Sequence, residues 1–299
     1  MNSEKDILVI KWDTDSFERA YNEKLGEYAD VISISDIYDV NSKSKKEKKS
    51  RIRGFIRDFD REHVLSHYKK IIVFEDLNIT WALSRYIENR KTVHLWYWNI
   101  IDPGFKDRIK LGLIRRMCSA WTFDEGQAKA LGLKHNTQFY IGRSGDDGSD
   151  DTFEYDLFFV GLDKGRKNVL DKIASACSAN GLKAKIVIAG QTDEKGNTTD
   201  LMEYPEVVEN IKKSRALLEI GRQDQTGLTV RSLEALFYNR LLVTNNSQIY
   251  GKKYFGPENA YILDPDKTDG LAEFIRSAKP EYSPDAYDYY SVKSWLERF

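Results

Sequence analysis

The chain has 299 residues, of which 41% are hydrophobic and 31% charged, and its formal net charge is −1. This composition excludes an intrinsically disordered chain, and the balanced charge excludes a general attraction to nucleic acid. The length predicts two domains of ordinary size, each with its own hydrophobic core.

The cysteines and the apolar runs predict a cytoplasmic protein. Cys118 and Cys177 each lie in an apolar helical pattern, which is typical of buried thiols in a reducing compartment. The first apolar run is flanked by acids and is too short for a secretion signal. The sequence contains no run of about 18 apolar residues, so no membrane span is predicted.

In the first half of the chain, short apolar strands alternate with helical stretches. Alternation of this kind predicts parallel strands joined by helical crossovers, with helices on both faces of one sheet. We therefore expect residues 1–145 to form a doubly wound, Rossmann-like domain. The predicted strands are Asp6–Trp12, Val31–Ile34, Ile71–Phe74, Val93–Trp98, Ala120–Phe123 and Phe139–Ile141, and the longer predicted helices are Asp15–Leu25, Arg51–His67, Ile79–Glu88 and Lys106–Cys118.

An acidic stretch rich in glycine and serine then interrupts the pattern and predicts a linker at residues 146–155. The alternation restarts in a second predicted Rossmann-like domain at 156–280. The aromatic residues of 281–299 predict a terminal helix that packs back toward the first domain. The second-domain strands are predicted at Leu157–Val160, Lys185–Ala189, Ala216–Ile220, Arg240–Thr244 and Ala260–Leu263, with helices at Asn168–Ala179, Pro205–Ser214, Leu228–Tyr238 and Asp269–Ala278.

The most informative stretch is the polar loop Gly221–Gly227 between a predicted strand and a predicted helix. In an open parallel sheet, ligands bind in the crevice at the carboxyl ends of the strands. The free N–H groups at the start of a helix favour anions. The loop is therefore predicted to bind an anionic ligand.

Three segments of the second half make the sequence recognisable: FFVGLDKGRKNVL (158–170), IVIAG (186–190) and EIGRQDQTGLTVRSLEAL (219–236). They resemble the second domain of GT-B glycosyltransferases, in which two Rossmann-like domains face each other across a cleft. More narrowly, they resemble the short bacterial glycosyltransferases of capsule, exopolysaccharide and lipopolysaccharide gene clusters. HLWYWNI (94–100) and WTFDEGQAKALGL (121–133) in the first half are similar to that group as well.

The resemblance implies a donor site for a nucleotide-sugar. Many retaining members have two glutamates eight positions apart, the first followed by glycine; here Gly227 matches the glycine and Glu234 the second glutamate, which holds the ribose hydroxyls. The first glutamate is replaced by Thr226, so the sugar must be gripped differently, with Gln225 and Asp224 as candidates. The Lys-Gly pair that faces the donor diphosphate in the family matches Lys164–Gly165, with Arg166 as a second basic group.

The chemistry of sugar transfer agrees with these assignments. A departing nucleoside diphosphate needs positive charge and N–H groups near its oxygens, which Lys164, Arg166 and Arg222 can supply. The arrangement requires no metal ion or other cofactor. Each assignment has a plain alternative: the basic residues as solvated turn residues, and Glu234 as the ion-pair partner of Arg231 one turn earlier in the helix.

Two residues of the first domain are candidate catalytic groups. Asp13 follows the first strand, where inverting GT-B enzymes place an acceptor-activating base. His94 lies in an aromatic strand and is a second candidate base, although a core histidine is the commoner outcome. The helix-start motif favours a retaining mechanism.

Two basic stretches in the first domain predict contact with an anionic membrane surface. The first, at 43–57, carries Lys45, Lys46, Lys48, Lys49 and Arg51; the second, at 105–117, carries Arg115 and Arg116 beside Ile109 and Leu113. Anionic lipid attracts such patches, and aromatic residues do not interleave with them as in single-strand nucleic-acid binders. A solvated loop and an ordinary packed helix are the alternatives.

The sequence thus predicts a cytoplasmic glycosyltransferase with a nucleotide-sugar donor, most simply a UDP-sugar. Its basic stretches predict a peripheral location at the inner face of the membrane. The predicted acceptor is a saccharide, free or lipid-linked, and nucleic acid is not a predicted partner. Two alternatives stay open: a relative of nucleotide-sugar 2-epimerases, and a non-catalytic subunit that kept the fold.

Overall fold

The computed structural model describes residues 5–39, 41–42, 44–61, 64–101, 104–142, 152–190, 199–222, 225–264 and 266–299, without the side chains of 105–107. The chain divides into two compact units. Unit 1 consists of Met1–Thr137 together with Val292–Phe299, and unit 2 consists of Gln138–Ser291.

Unit 1 is built on a six-stranded parallel sheet in the order β2-β1-β3-β4-β5-β6. Strand residues such as Leu8, Ile10, Ile71, Val73 and Leu95 are fully buried because helices cover the sheet. The strands are β1 Ile7–Lys11, β2 Asp30–Ser33, β3 Lys70–Phe74, β4 Val93–Tyr97, β5 Ser119–Thr122 and β6 Lys134–His135. The helices are α1 Ser16–Leu25, α2 Ile34–Ile37, α3 Lys45–Phe59, α4 Leu77–Tyr86, α5 Phe105–Met117 and α6 Glu125–Leu131.

Unit 2 is built on a five-stranded parallel sheet in the order β11-β10-β9-β7-β8. Its strands are β7 Tyr155–Leu162, β8 Ala184–Ala189, β9 Ser214–Glu219, β10 Leu241–Thr244 and β11 Ala260–Ile262. Its helices are α7 Lys167–Ala179, α8 Tyr204–Lys212, α9 Val230–Phe237, α10 Leu271–Ser277 and α11 Pro284–Tyr289. Both units are therefore doubly wound Rossmann-like sheets, which agrees with the predicted fold class.

The last helix, α12 (Val292–Glu297), belongs to unit 1. Trp295 is fully buried and meets Trp96 edge-to-face with ring centroids 5.4 Å apart. Lys70 Nζ donates to the carbonyl of Leu296 over 2.7 Å. Tail residues 284–297 thus form two short helices, one in each unit, where the sequence predicts a single helix.

Two further sequence-predicted elements, a helix and a strand, differ from the structure. The helix predicted to run to His67 ends at Phe59, because the Asp60 carboxylate accepts from Leu65 N–H over 2.9 Å and turns the chain. The strand predicted at 139–141 is absent from both described sheets, where Tyr140 makes only a single bridge to Ser291. The chain enters unit 2 at 138, before the predicted linker, of which residues 146–151 lie outside the described ranges.

Candidate functional site

The pairing between β7 and β9 ends before the carboxyl edge of the unit 2 sheet. The chain leaves β7 toward β8 on one side and leaves β9 toward β10 on the other, which makes this the topological switch point. Pairing between β7 and β9 is recorded as far as Phe158 and Leu217, whereas β7 continues beside β8 to Leu162. We call residues 159–162 and 218–220 the β7–β9 seam. Open parallel sheets bind their ligands at this place.

Arg166 closes one side of the seam. Its Nη1 donates to the carbonyl of Ile220 over 2.9 Å, its Nε to the carbonyl of Asp163 over 3.1 Å, and its Nη2 to the carbonyl of Leu162. Burial lowers the pKa of Arg166, Asp163 raises it, and the neighbouring Arg231 lowers it again. Arg166 therefore ties the turn after β7 to the end of β9, and most of its donors are committed to backbone oxygens.

Lys164 lies in the tight turn that follows β7 and its side chain is exposed. Its φ is +44°, and that of Gly165 is +77°. A left-handed lysine is uncommon and marks a strained turn of the kind that clusters at functional sites. Within the described ranges no ion pair involves Lys164, so its amine is available to an anion at this edge.

The loop after β9 leads to the start of α9. Its first residue is clamped by Asn245, which accepts from Gly221 N–H over 2.8 Å and donates to the Gly221 carbonyl over 3.1 Å. At the far end, Thr229 caps α9 by accepting from Arg231 N–H over 3.0 Å.

Between these fixed ends lie the predicted loop residues. Arg222 is exposed, Gln225 and Thr226 are half-buried, and Gly227 is buried; Asp224 lies outside the described ranges. The structure therefore brings Arg222, Gln225, Thr226 and Gly227 to the same sheet edge as Lys164.

Glu219, which the sequence analysis did not single out, holds this loop in place. It is the last residue of β9, and its buried carboxylate accepts hydrogen bonds from three hydroxyl groups. Ser232 donates to both oxygens, over 3.0 and 3.1 Å, and Thr244 donates to Oε2 over 2.7 Å. Thr229 donates to Oε1. One carboxylate thus joins the ends of β9 and β10 to the first turn of α9.

Glu234 is buried below that first turn, with its side chain 3% exposed. Its Oε2 lies 2.8 Å from Arg231 Nη1, and the Arg231 side chain is 15% exposed. Burial raises the pKa of Glu234, while Arg231 and the Tyr204 hydroxyl lower it. The Arg231–Glu234 ion pair that the sequence analysis gave as the alternative is therefore present. A ligand would have to reach past Arg231 for its ribose to contact Glu234.

Unit 1 has its own switch point between β1 and β3. Asp13, just after β1, accepts from Ser35 Oγ over 2.7 Å, and hydrogen bonds from Ser33 and Ser35 lower its pKa. Glu75, just after β3, has a φ of +56° and accepts from the N–H and side-chain amide of Asn99 over 2.6 and 3.1 Å. Asp13 thus lies at the sheet edge where open parallel sheets bind ligands, but the hydrogen bonds that it accepts make it a weaker base.

His94 is the second residue of β4, near the end of the strand remote from this edge. Its Nδ1 accepts from Trp121 Nε1–H over 3.1 Å, and burial lowers its pKa to about 4. Phe299 packs edge-on against its ring at 5.5 Å. The structure therefore gives His94 the core role, and we leave it out of the candidate site.

The basic stretches fall on two helices of unit 1. On α3, Lys45, Lys46, Lys49 and Arg51 are exposed, while the Lys48 amine lies 4.9 Å above the Tyr38 ring.

On α5, Arg116 is exposed, and Arg115 donates to the Leu131 carbonyl over 2.7 Å. Ile109 and Leu113, one turn apart, are 52% and 41% exposed. The α5 surface therefore combines two uncovered apolar side chains with arginine.

Searches of the described ranges find no helix both long and apolar enough to cross a bilayer and no group of three or more metal-ligating side chains. The sequence matches no protein-family model and no curated protein. Solved structures do match it over nearly its whole length.

A glycosyltransferase from Rickettsia africae ESF-5 is 8% identical, with a TM-score of 0.62 over 99% of this chain and 97% of its own. An alpha-glucosyltransferase in complex with UDP and DNA is 10% identical, with a TM-score of 0.55 over 98% of both chains. The UDP-GlcNAc 2-epimerase of Methanocaldococcus jannaschii, in complex with UDP-GlcNAc and UDP, is 12% identical, with a TM-score of 0.50 over 93% of this chain and 94% of its own. At these identities the likeness shows the fold alone.

Proposed function

We propose that this chain, which has the two-domain Rossmann-like fold of GT-B enzymes, transfers a hexosyl group from a UDP-sugar to a saccharide acceptor. The β7–β9 seam supports the proposal, because Arg166, Arg231 and the exposed Lys164 meet there beside the start of α9. Positive charge and helix N–H groups at a switch point suit a nucleoside diphosphate. The uridine nucleotides bound to two of the structural neighbours support uracil as the base.

Within this proposal, Lys164 and the N–H groups at Gly227 and the start of α9 meet the diphosphate. Gln225 and Arg222 then lie on the side of the transferred sugar, where Thr226 replaces the family's first glutamate. The positive charges would stabilise the departing diphosphate without a metal ion. Transfer measured with excess EDTA tests that part of the proposal, since a metal-dependent enzyme would stop.

We place the acceptor at the unit 1 switch point near Asp13 and Glu75. The sugar is proposed to keep its anomeric configuration, as the helix-start motif suggests. Proton NMR of the first product formed distinguishes the two anomers, and an inverted product would make Asp13 the acceptor-activating base.

The acceptor is proposed to be lipid-linked, in the synthesis of capsular polysaccharide, exopolysaccharide or lipopolysaccharide at the inner face of the membrane. The exposed Ile109–Leu113 pair on α5 and the cations of α3 support this location. Replacing both apolar residues with glutamate should abolish sedimentation with vesicles containing anionic lipid. Unchanged sedimentation would argue against this surface.

A thermal-shift panel of nucleoside diphosphates and nucleotide-sugars tests the donor proposal directly. A ligand at a hundred times its Kd adds about 2.7 kcal/mol to the stability of the folded protein. We expect UDP and one UDP-sugar to raise the melting temperature, and that UDP-sugar to be hydrolysed slowly without acceptor. If no nucleotide shifts melting, the chain fits a non-catalytic subunit better.

The structural likeness to a UDP-GlcNAc 2-epimerase makes epimerisation the second candidate. Such an enzyme would convert its nucleotide-sugar to the 2-epimer without any acceptor and without releasing UDP. Incubating the protein with UDP-GlcNAc and analysing the sugar nucleotide by NMR therefore separates the two activities.

A further inference from the structure

We propose that Arg231 is the residue of unit 2 that binds the donor diphosphate most directly, and that Glu234 is a positioning residue for Arg231. The proposal rests on the proposed function, because it assumes a nucleoside diphosphate at the β7–β9 seam. It differs from the role that the family resemblance implies, in which Glu234 itself holds the ribose.

The two arginines of the seam approach it from opposite faces of the sheet. The Arg231 guanidinium carbon lies 5.7 Å from the centre of the Phe158 ring, and that of Arg166 lies 5.2 Å from the Phe159 ring. Successive side chains of a strand point to opposite faces. Both guanidiniums then donate to β7 carbonyls where the strand diverges from β9: Arg231 Nη2 to Val160 over 3.4 Å and Arg166 Nη2 to Leu162.

The two side chains differ in how many donors remain free for a ligand. Arg166 donates to three carbonyls. Arg231 has one long bond to a carbonyl and one contact with a carboxylate, and a guanidinium carries five N–H donors in a planar fork. Arg231 Nη1 is buried against Glu234, so the remaining donors for a phosphate are those of Nε and Nη2. Arg166 would first have to give up backbone oxygens.

The charges at the seam also favour an anion. Arg166 and Arg231 are close enough for each other's charge to be felt, and Lys164 adds a third cation at the same edge. Glu234 is the acid paired with Arg231, and Asp163 Oδ1 accepts from Lys167 N–H over 2.8 Å. A diphosphate would relieve the repulsion between the guanidiniums, while an uncharged ligand would not.

Glu234 is too enclosed for direct contact as the structure stands. With Arg231 on one side and the Tyr204 hydroxyl on the other, its carboxylate oxygens already have partners. The hydroxyls of Tyr204 and Tyr140 lie 2.9 Å apart. Because Tyr204 has a single proton to donate, Tyr140 is the donor of this hydrogen bond when Tyr204 donates to Glu234. This buried chain fixes Glu234, and Glu234 fixes the guanidinium at the seam.

The test compares UDP with uridine, because the two ligands share a ribose and differ in the diphosphate. Calorimetric titration would be applied to the parent, Glu234→Gln, and the double variant Arg231→Met/Glu234→Gln. The double variant removes both buried charges and so avoids leaving one of them unpaired. Arg276→Met, which removes an exposed charge elsewhere in unit 2, is the matched control.

We expect the double variant to bind UDP about ten- to a hundredfold more weakly and uridine as the parent does. Glu234→Gln should weaken UDP less than the double variant does, and Arg276→Met should weaken neither ligand. If Glu234→Gln weakens uridine and UDP by the same factor, Glu234 holds the ribose and the proposal is wrong. It is also wrong if the folded double variant binds UDP like the parent. A parent that binds no nucleotide overturns the proposed function itself.

Discussion

Replacing Lys11 with methionine should raise the stability of the protein near neutral pH and flatten its dependence on pH. The Lys11 amine is at the carboxyl end of β1 and is 2% exposed. It is paired with Glu18 and lies 5.7 and 5.8 Å from the centres of the Phe74 and Trp98 rings. Burial lowers its pKa from 10.5 to about 7, against the attraction of Asp15, Glu75 and Asp13.

The sign follows from proton linkage. Between the two pKa values, the unfolded chain holds a proton on Lys11 that the folded protein has released, so the free energy of unfolding increases with pH. The shift corresponds to an increase of about 2 kcal/mol between about pH 7 and about pH 9. Methionine has no charge to desolvate. The Glu18 side chain is 23% exposed, but its Oε2 is buried and loses its partner in Lys11→Met, which offsets part of the gain equally at every pH in this range and leaves the pH dependence unchanged.

Urea unfolding of the parent and of Lys11→Met across this pH range measures the effect. The difference between the two proteins should be largest near pH 7 and shrink as pH rises. Lys69→Met is the control: that side chain is exposed, and its hydrogen bond to Asp6 raises its pKa. Its titration therefore lies above this pH range in both the folded and the unfolded state, so the difference between parent and Lys69→Met should stay constant across the range. A constant difference between parent and Lys11→Met would show that the Lys11 amine is not desolvated in the folded protein.

Two further predictions concern packing. Glu219→Ala should lower the free energy of unfolding by about 1 to 3 kcal/mol, because buried hydroxyls of Ser232 and Thr244 lose their acceptor; urea unfolding would show this, with Glu219→Gln retaining part of the stability. An unaltered urea midpoint in Glu219→Ala would contradict the network. Trp295→Ala should lower the free energy of unfolding by about 3 to 5 kcal/mol, because it empties a fully buried site beside Trp96. Near-ultraviolet circular dichroism on heating should show unit 1 melting at a lower temperature. A melting curve like that of the parent would contradict this packing.

The sequence carried enough information to predict five of the six strands of the unit 1 sheet and all five of the unit 2 sheet, but not the two-residue strand β6. Buried strands such as β3 and β4 read as apolar runs, and helices with polar caps separate them. Elements that depend on a single side-chain contact were not predictable in the same way. The turn after α3 requires Asp60 to meet Leu65, and Tyr140 leaves the sheet and packs its ring 5.0 Å from Phe237.

The candidate site was predictable in position more than in detail. The Lys164 turn and the loop before α9 meet at one edge because strand order, once known, brings them together. Glu219 carried a signal that sequence reasoning could have used, since an acid within an apolar strand must be buried and therefore needs donors. Spacing offered the Arg231–Glu234 ion pair and a core role for His94 only as alternatives, because the burial that decides between the alternatives depends on which elements pack around each side chain.

The return of residues 292–299 to unit 1 sets an order of events during synthesis on the ribosome. Domains usually fold as the N-terminal part emerges, yet here Trp96 and Phe74 wait for Trp295. About 150 residues of unit 2 are translated in between, which at ordinary elongation rates takes on the order of ten to thirty seconds. During that interval the aromatic surface around Trp96 and Phe74 stays uncovered on the nascent polypeptide. We expect a chaperone to bind the nascent polypeptide at this surface.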